Sequence, residues 1–224
     1  MFARLLAILI CLWVADPRFG RAEPASPPGR EVVVYLKTDP AQPAQPIKEM
    51  THEADALMAT AGYAISWRAL GGSARDASAA SLAVIELRGV CQAPQPAAPV
   101  ESLTAGTSLA STAVADGKVL PYSQLECENL TRLLAAALAK EAADKRDYLY
   151  GRAMGRLVAH ELFHVLVGTR DHEGSGIAKR SFSANDVLAE HFEFELTALD
   201  KFRDSPSDDS GTAEESFDSA ARGR

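Results

Sequence analysis

The sequence predicts an α+β fold in which a small mixed sheet of four to five strands packs on helices. Three observations lead there. Short β-branched or alternating segments lie before Pro121, one helical segment sits between the first two of them, and the apolar spacing turns helical after Pro121. With 47% apolar residues among 224, the chain has enough hydrophobic side chain for one core, which excludes global disorder.

Taken in order, residues 31–38 carry the run Val32-Val33-Val34-Tyr35-Leu36 and read as a strand. Residues 39–46 hold Pro40, Pro43 and Pro46 and read as a loop. In residues 47–61, Met50, Ala54, Leu57 and Met58 recur at helical spacing before Gly62, the signature of a helix with a C-terminal glycine. Residues 63–70 alternate through Tyr63, Ile65 and Trp67 as a second strand that Gly71-Gly72 ends. Residues 81–90 form a third strand, residues 92–99 a Pro/Ala loop, and residues 107–115 a fourth, exposed strand. Asp116-Gly117 is a hairpin turn into Lys118-Val119-Leu120. Three helices are expected after that, over residues 123–143, 148–167 and 185–202, the last capped by Ser183 or Asn185.

The ends of the chain read differently. Arg4, the apolar run of eleven residues at 5–15 and the small residues Gly20 and Ala22 predict a signal peptide over 1–22. A membrane span needs about 20 apolar residues, so no stable membrane insertion is expected once the signal is removed. Ile10 stands where a lipidation site at Cys11 would need a small residue. Residues 23–30 read as a flexible lead-in, residues 31–203 as the folded domain, and residues 204–224 as a disordered tail. The tail holds six acidic and two basic residues, about -4 of the net charge of -7. An acidic chain argues against a nucleic-acid partner. An even pair, Cys91 and Cys127, remains after signal removal; in an exported protein that predicts a disulfide, with two buried thiols as the alternative.

The chemistry sits in His160-Glu161-Leu162-Phe163-His164. Residues four apart share a helix face, so His160 and His164 can aim two imidazoles at one zinc ion. Glu161, rotated about 100° from His160, is the expected general base for a zinc-activated water. Leu157, Val158, Leu162, Val165 and Leu166 give that helix a broad apolar surface. Gly168 is the expected helix stop, and His172 follows it closely enough to supply a third ligand. Glu190 or His191 on the following helix would complete the site instead, and His52 reads as a surface histidine. Asp171 or Asp186 is a candidate acceptor for a ligand imidazole, or else an ordinary turn or N-cap carboxylate. Tyr148 and Tyr150 read as packing residues.

With its following glycine and third histidine, this motif resembles the zincin superfamily and, within it, the metzincins, whose pattern is HExxHxxGxxH. The fuller stretch is more similar to a group of bacterial secreted metzincin-like proteins with HExGHxLLGxxxHSxxGIM. His160, Glu161, His164, Gly168, His172, Gly176 and Ile177 match that pattern, while Phe163 replaces its first Gly and Ala178 its Met. In metzincins that Met forms an apolar floor under the histidines. The resemblance implies a zincin-like metalloprotease domain with an HExxH active-site helix. The expectation is a secreted or periplasmic zinc peptidase acting on a peptide or protein substrate, with His160, His164 and His172 as ligands and Glu161 as base. The alternatives are an exported zinc-binding protein without catalysis and a zinc hydrolase of another amide or ester.

Overall fold

The computed structural model describes residues 30–70, 81–95 and 106–205. The expected signal peptide, the expected lead-in before Arg30, Gly71-Gly72, the end of the expected Pro/Ala loop and the expected tail beyond residue 205 lie outside them. Strands β1 (Arg30–Lys37), β2 (Tyr63–Ala69), β3 (Ser81–Arg88), β4 (Ala110–Ala115) and β5 (Lys118–Glu126) form one mixed sheet in the order β2-β1-β3-β5-β4. Helices α1 (Ala44–Thr60), α2 (Cys127–Leu138), α3 (Ala143–Val167), α4 (Ala184–Leu188) and α5 (Leu196–Asp204) complete the described architecture. The fold is α+β, as expected. None of the described helices is long and apolar enough to cross a membrane.

Val32, Val33 and Val34 are all buried because β1 is flanked by parallel β2 and β3. β3 continues parallel to β5, and β4 pairs antiparallel with β5 as an edge strand. Asp116 and Gly117 both take positive φ, the backbone that a two-residue hairpin requires. Cys91 and Cys127 are disulfide-bonded and tie the chain leaving β3 to the first residue of α2.

Three expectations need correction. The helix expected from 123 begins only at Cys127, and Ser123–Glu126 is the inner part of β5. Ser123 and Leu125 are buried with partly buried residues between them, a strand alternation that the leucines following in α2 concealed. Pro121 is tolerated because β5 pairs with β3 only from Tyr122 onward and the β4 register shifts between Thr112 and Val114. Next, α1 starts at Ala44 inside the expected proline loop; Pro46 falls in the first turn, where no backbone N–H is needed. Last, the helix expected over 185–202 is two helices, α4 and α5, with non-helical chain between them. Arg156 on α3 takes the carbonyls of Val187 and Ala189 at 3.0 and 2.7 Å, and the Glu193 carbonyl accepts from Ile177 N at 3.0 Å. Those carbonyls hold the non-helical chain between α4 and α5 against α3 and the segment around Ile177.

Helix α3 is seated on α1 at close range. A Cβ on Gly155 would lie 2.7 Å from both the Glu53 Cβ and the Met50 carbonyl oxygen, and one on Gly151 would lie 2.6 Å from the Pro46 carbonyl oxygen. Beside this contact, Glu53 bridges Arg152 at 3.2 Å and the fully buried Arg156 at 2.7 Å. Gly155→Ala must push the helices apart and is expected to lower stability by about 1–3 kcal/mol, read as a lower urea midpoint at unchanged m-value.

Candidate metal centre

The last turns of α3 carry His160, Glu161 and His164, all buried. Gly168 ends the helix at φ 69, in the left-handed conformation, and its N–H donates to the His164 carbonyl at 3.0 Å. The chain then turns back, so that His172 joins the pair; candidate ligand atoms of His160, His164 and His172 all lie within 4.8 Å of one another. The alternative ligands Glu190 and His191 are exposed and belong to no such group among the described residues. His52 is exposed, as expected.

Two backbone carbonyls fix the imidazoles. His160 Nδ1 lies 2.7 Å from the Ile177 carbonyl oxygen and His164 Nδ1 lies 2.8 Å from that of Thr169. Carbonyls only accept, so both Nδ1 atoms are protonated and both Nε2 atoms present lone pairs. Those Nε2 atoms are 3.1 Å apart. Two facing lone pairs repel, whereas one cation between them satisfies both; two nitrogens bound tetrahedrally to zinc are about 3.3 Å apart. His172 Nδ1 is buried and has no hydrogen-bond partner, a further donor without an acceptor. Burial holds all three histidines below the usual range, His160 down to about 3, and so keeps them in the neutral form that ligates metal. The donor set fits a divalent metal such as zinc.

Neither Asp171 nor Asp186 makes the second contact considered from sequence. Asp186 closes the α4 capping box with Ser183 and pairs with Lys179 at 2.6 Å. The Asp171 backbone N–H donates to Thr169 Oγ1 at 3.0 Å, and its carboxylate bonds neither ring. Phe163 is fully buried, where its ring meets Phe194 and Phe202 and stands edge-on to the His164 ring with centroids 5.5 Å apart. Phe182 stands edge-on to His160 with ring centroids 5.1 Å apart, so an aromatic ring borders the histidines. Tyr150 packs, and its hydroxyl donates to the Cys127 carbonyl at 3.0 Å; Tyr148 is exposed against Arg152.

Sequence reading missed Thr112 on β4. Its hydroxyl donates to Glu161 Oε2 at 2.5 Å. Having a single hydrogen, Thr112 Oγ1 must accept from Ser123 Oγ, 2.8 Å away. Burial pushes the Glu161 carboxyl up to about 7, and the Thr112 hydrogen bond opposes that rise. Nothing in residue type or local spacing marks a threonine 49 positions upstream as a partner of Glu161. The histidines, Glu161 and Thr112 open into one cleft of about 720 Å³ that runs along β4 and is walled by Leu133, Leu157 and Phe182.

The geometry sets a clear expectation for metal titration. One equivalent of zinc binds, and His160→Ala or His172→Ala weakens it by more than about 100-fold, beyond the usual cost of losing an outer-sphere contact. His191→Ala and Glu190→Ala leave the isotherm unchanged. Comparison with protein-family models, curated proteins and solved structures returns no match, so the reading of this centre rests on its own geometry.

Proposed function

We propose that this chain is an exported zinc-dependent peptidase with a zincin-like, metzincin-like domain, in which His160, His164 and His172 hold the metal and Glu161 is the general base. The observation that carries the reading is the facing pair of His160 and His164 Nε2 lone pairs beside a buried carboxylate in an open cleft. A bound zinc ion would supply Lewis-acid polarisation of the scissile carbonyl and of the attacking water. The resemblance drawn from the motif implies a mixed sheet against an HExxH helix, and the order of sheet, α2 and α3 is consistent with that. The Cys91–Cys127 disulfide suits an oxidising, extracytoplasmic compartment.

The chain's own groups divide the work. Thr112 and Ser123 hold Oε2 of Glu161, which leaves Oε1 without a hydrogen bond among the described residues. Oε1 takes the proton released as water adds to the peptide carbon, and returns it to the amide nitrogen as the C–N bond breaks. The backbone edge of β4 turned away from β5 is unpaired within the described sheet, and Ala110, Ser111, Thr112 and Val114 line the cleft. An extended peptide would add there as a further strand, with its scissile bond laid beside Glu161. The carbonyls of Ile177 and Thr169 keep the imidazoles from rotating away.

The competing reading, an exported zinc protein without catalysis, rests on the Ala178 and Phe163 departures and on the lack of an oxyanion stabiliser in the sequence. Burial of Phe163 in the aromatic core weakens one of its three grounds. The full chain and Glu161→Gln, each carrying one zinc, separate the readings on a quenched peptide library. Cleavage abolished by the substitution and by a chelator is expected; zinc binding without cleavage in both proteins would select the non-catalytic reading. Thr112→Val is expected to lower kcat by about 10- to 100-fold through misplacement of Oε1. KM should change little, zinc stoichiometry should persist, and Thr112→Ser should recover most of the loss.

A further inference from the structure

We infer that the cleft selects peptides bearing a carboxylate close to the bond presented at the histidines, and that Arg170 and Arg180 receive that carboxylate; the inference rests on the peptidase reading. The charged residues lining the cleft, histidines aside, are Arg170, Arg180 and Glu161. Glu161 does not neutralise the arginines, because its Oε2 is held by Thr112 and it forms no ion pair among the described residues. Both guanidiniums are exposed at the cleft, and neither has a hydrogen bond or ion pair among the described residues.

This pairing of free arginines is unusual among the described residues. Arg88, Arg132, Arg152, Arg156 and Arg203 each meet a carboxylate, and Arg30 and Arg146 donate to backbone carbonyls. The one other described arginine without such a partner, Arg68, lies on β2 at the far edge of the sheet. Asp171 follows Arg170 directly, yet it does not line the cleft and bridges neither guanidinium. The protein as a whole carries a net charge of -7, so two unneutralised cations flanking one histidine of the centre run against its composition.

The physical consequence follows from guanidinium chemistry. A guanidinium offers a planar fork of N–H donors that matches the two oxygens of a carboxylate, and charge-assisted bonds of this kind are among the stronger hydrogen bonds. In a cleft walled on one side by apolar residues, the field of two such groups is less screened than on an open surface. Arg170 and Arg180 bracket His172 in sequence, and Arg180 lies within electrostatic reach of its ring. A carboxylate held there belongs to the peptide residue next to the bond at the metal centre. It comes from an Asp or Glu side chain or from a free C-terminus.

Fluorescence polarisation on the full chain carrying Glu161→Gln tests this through binding, with no need for turnover. Labelled hexapeptides carry a single Glu, or its neutral isostere Gln, at each position in turn. A second pair ends in a free carboxylate or an amide. All are measured on zinc-loaded and chelator-treated protein, so that direct carboxylate–metal contact is separated from the arginines. The acidic member of at least one pair should bind about 10-fold more tightly in both states, as one well-placed charge-assisted pair allows. That preference should fall to within about twofold when Arg170→Gln and Arg180→Gln are added. A preference seen only with Glu assigns a side chain, one seen only with the free acid assigns the C-terminus, and either supports the inference. Equal binding within every pair, or a preference that survives loss of both arginines, overturns it. If the preference holds but the unsubstituted chain cleaves none of these peptides, the peptidase reading fails while the arginine assignment stands.

Discussion

The hydrogen bonds from His160 and His164 Nδ1 to the carbonyls of Ile177 and Thr169 determine what the rest of the cleft can do. They place the ring protons on Nδ1, and with them the lone pairs on the Nε2 atoms that face each other across 3.1 Å. Without that constraint, an imidazole on a helix can flip its ring or change tautomer, and one Nε2 can donate to the other. With it, the two rings form a rigid pair of donors that fits one cation together with His172. The acceptors are backbone groups on the return segment after α3, so the path of that segment is itself part of the metal centre.

That path is held from several sides. Gly168 lets the chain leave α3 in the left-handed conformation, after which His172 returns to the pair. Gly176, at φ 66, permits a close approach to the Glu193 carbonyl, since a Cβ there would be 2.6 Å from that oxygen. The Ile177 N–H donates to that same carbonyl, while its own carbonyl oxygen meets His160. The extended chain before α5 therefore braces the residue that orients a ligand. Arg156, buried one helical turn before His160, bonds carbonyls at the end of α4 and anchors the same chain to α3. The glycine contact and the Glu53 ion pairs in turn fix α3 against α1 and the sheet. Thr112 comes from the opposite side, on the edge strand, so the placement of Glu161 depends on the sheet and that of the histidines on the return loop.

Much of this was legible in the sequence, and what was not has identifiable causes. Val32-Val33-Val34 shows a β-branched strand, Asp116-Gly117 shows a hairpin turn, and the four-residue spacing of His160 and His164 shows the shared helix face. Gly168 and His172 pointed to the third histidine because a helix stop and a short return constrain distance by chain length alone. Residues 123–126 were missed because Ser123 and Leu125 fit a strand period while Leu130, Leu133 and Leu134 just beyond fit a helix. The break between α4 and α5 was invisible because the groups that hold the chain there, Arg156 and Ile177, are distant in sequence. The partners of the histidine Nδ1 atoms are main-chain carbonyls, which leave no residue-type signal, whereas Asp171 and Asp186 carry the carboxylates that residue type alone suggests. Thr112 lies on a different element, in a segment that alternates only weakly.

X-ray absorption at the zinc edge tests the central claim most directly, using the full chain loaded with one equivalent of zinc. Three imidazole nitrogens at about 2.0 Å, reduced to two by His172→Ala, are what the account predicts. A zinc shell with fewer than three imidazoles, or one that His172→Ala leaves unchanged, would contradict it.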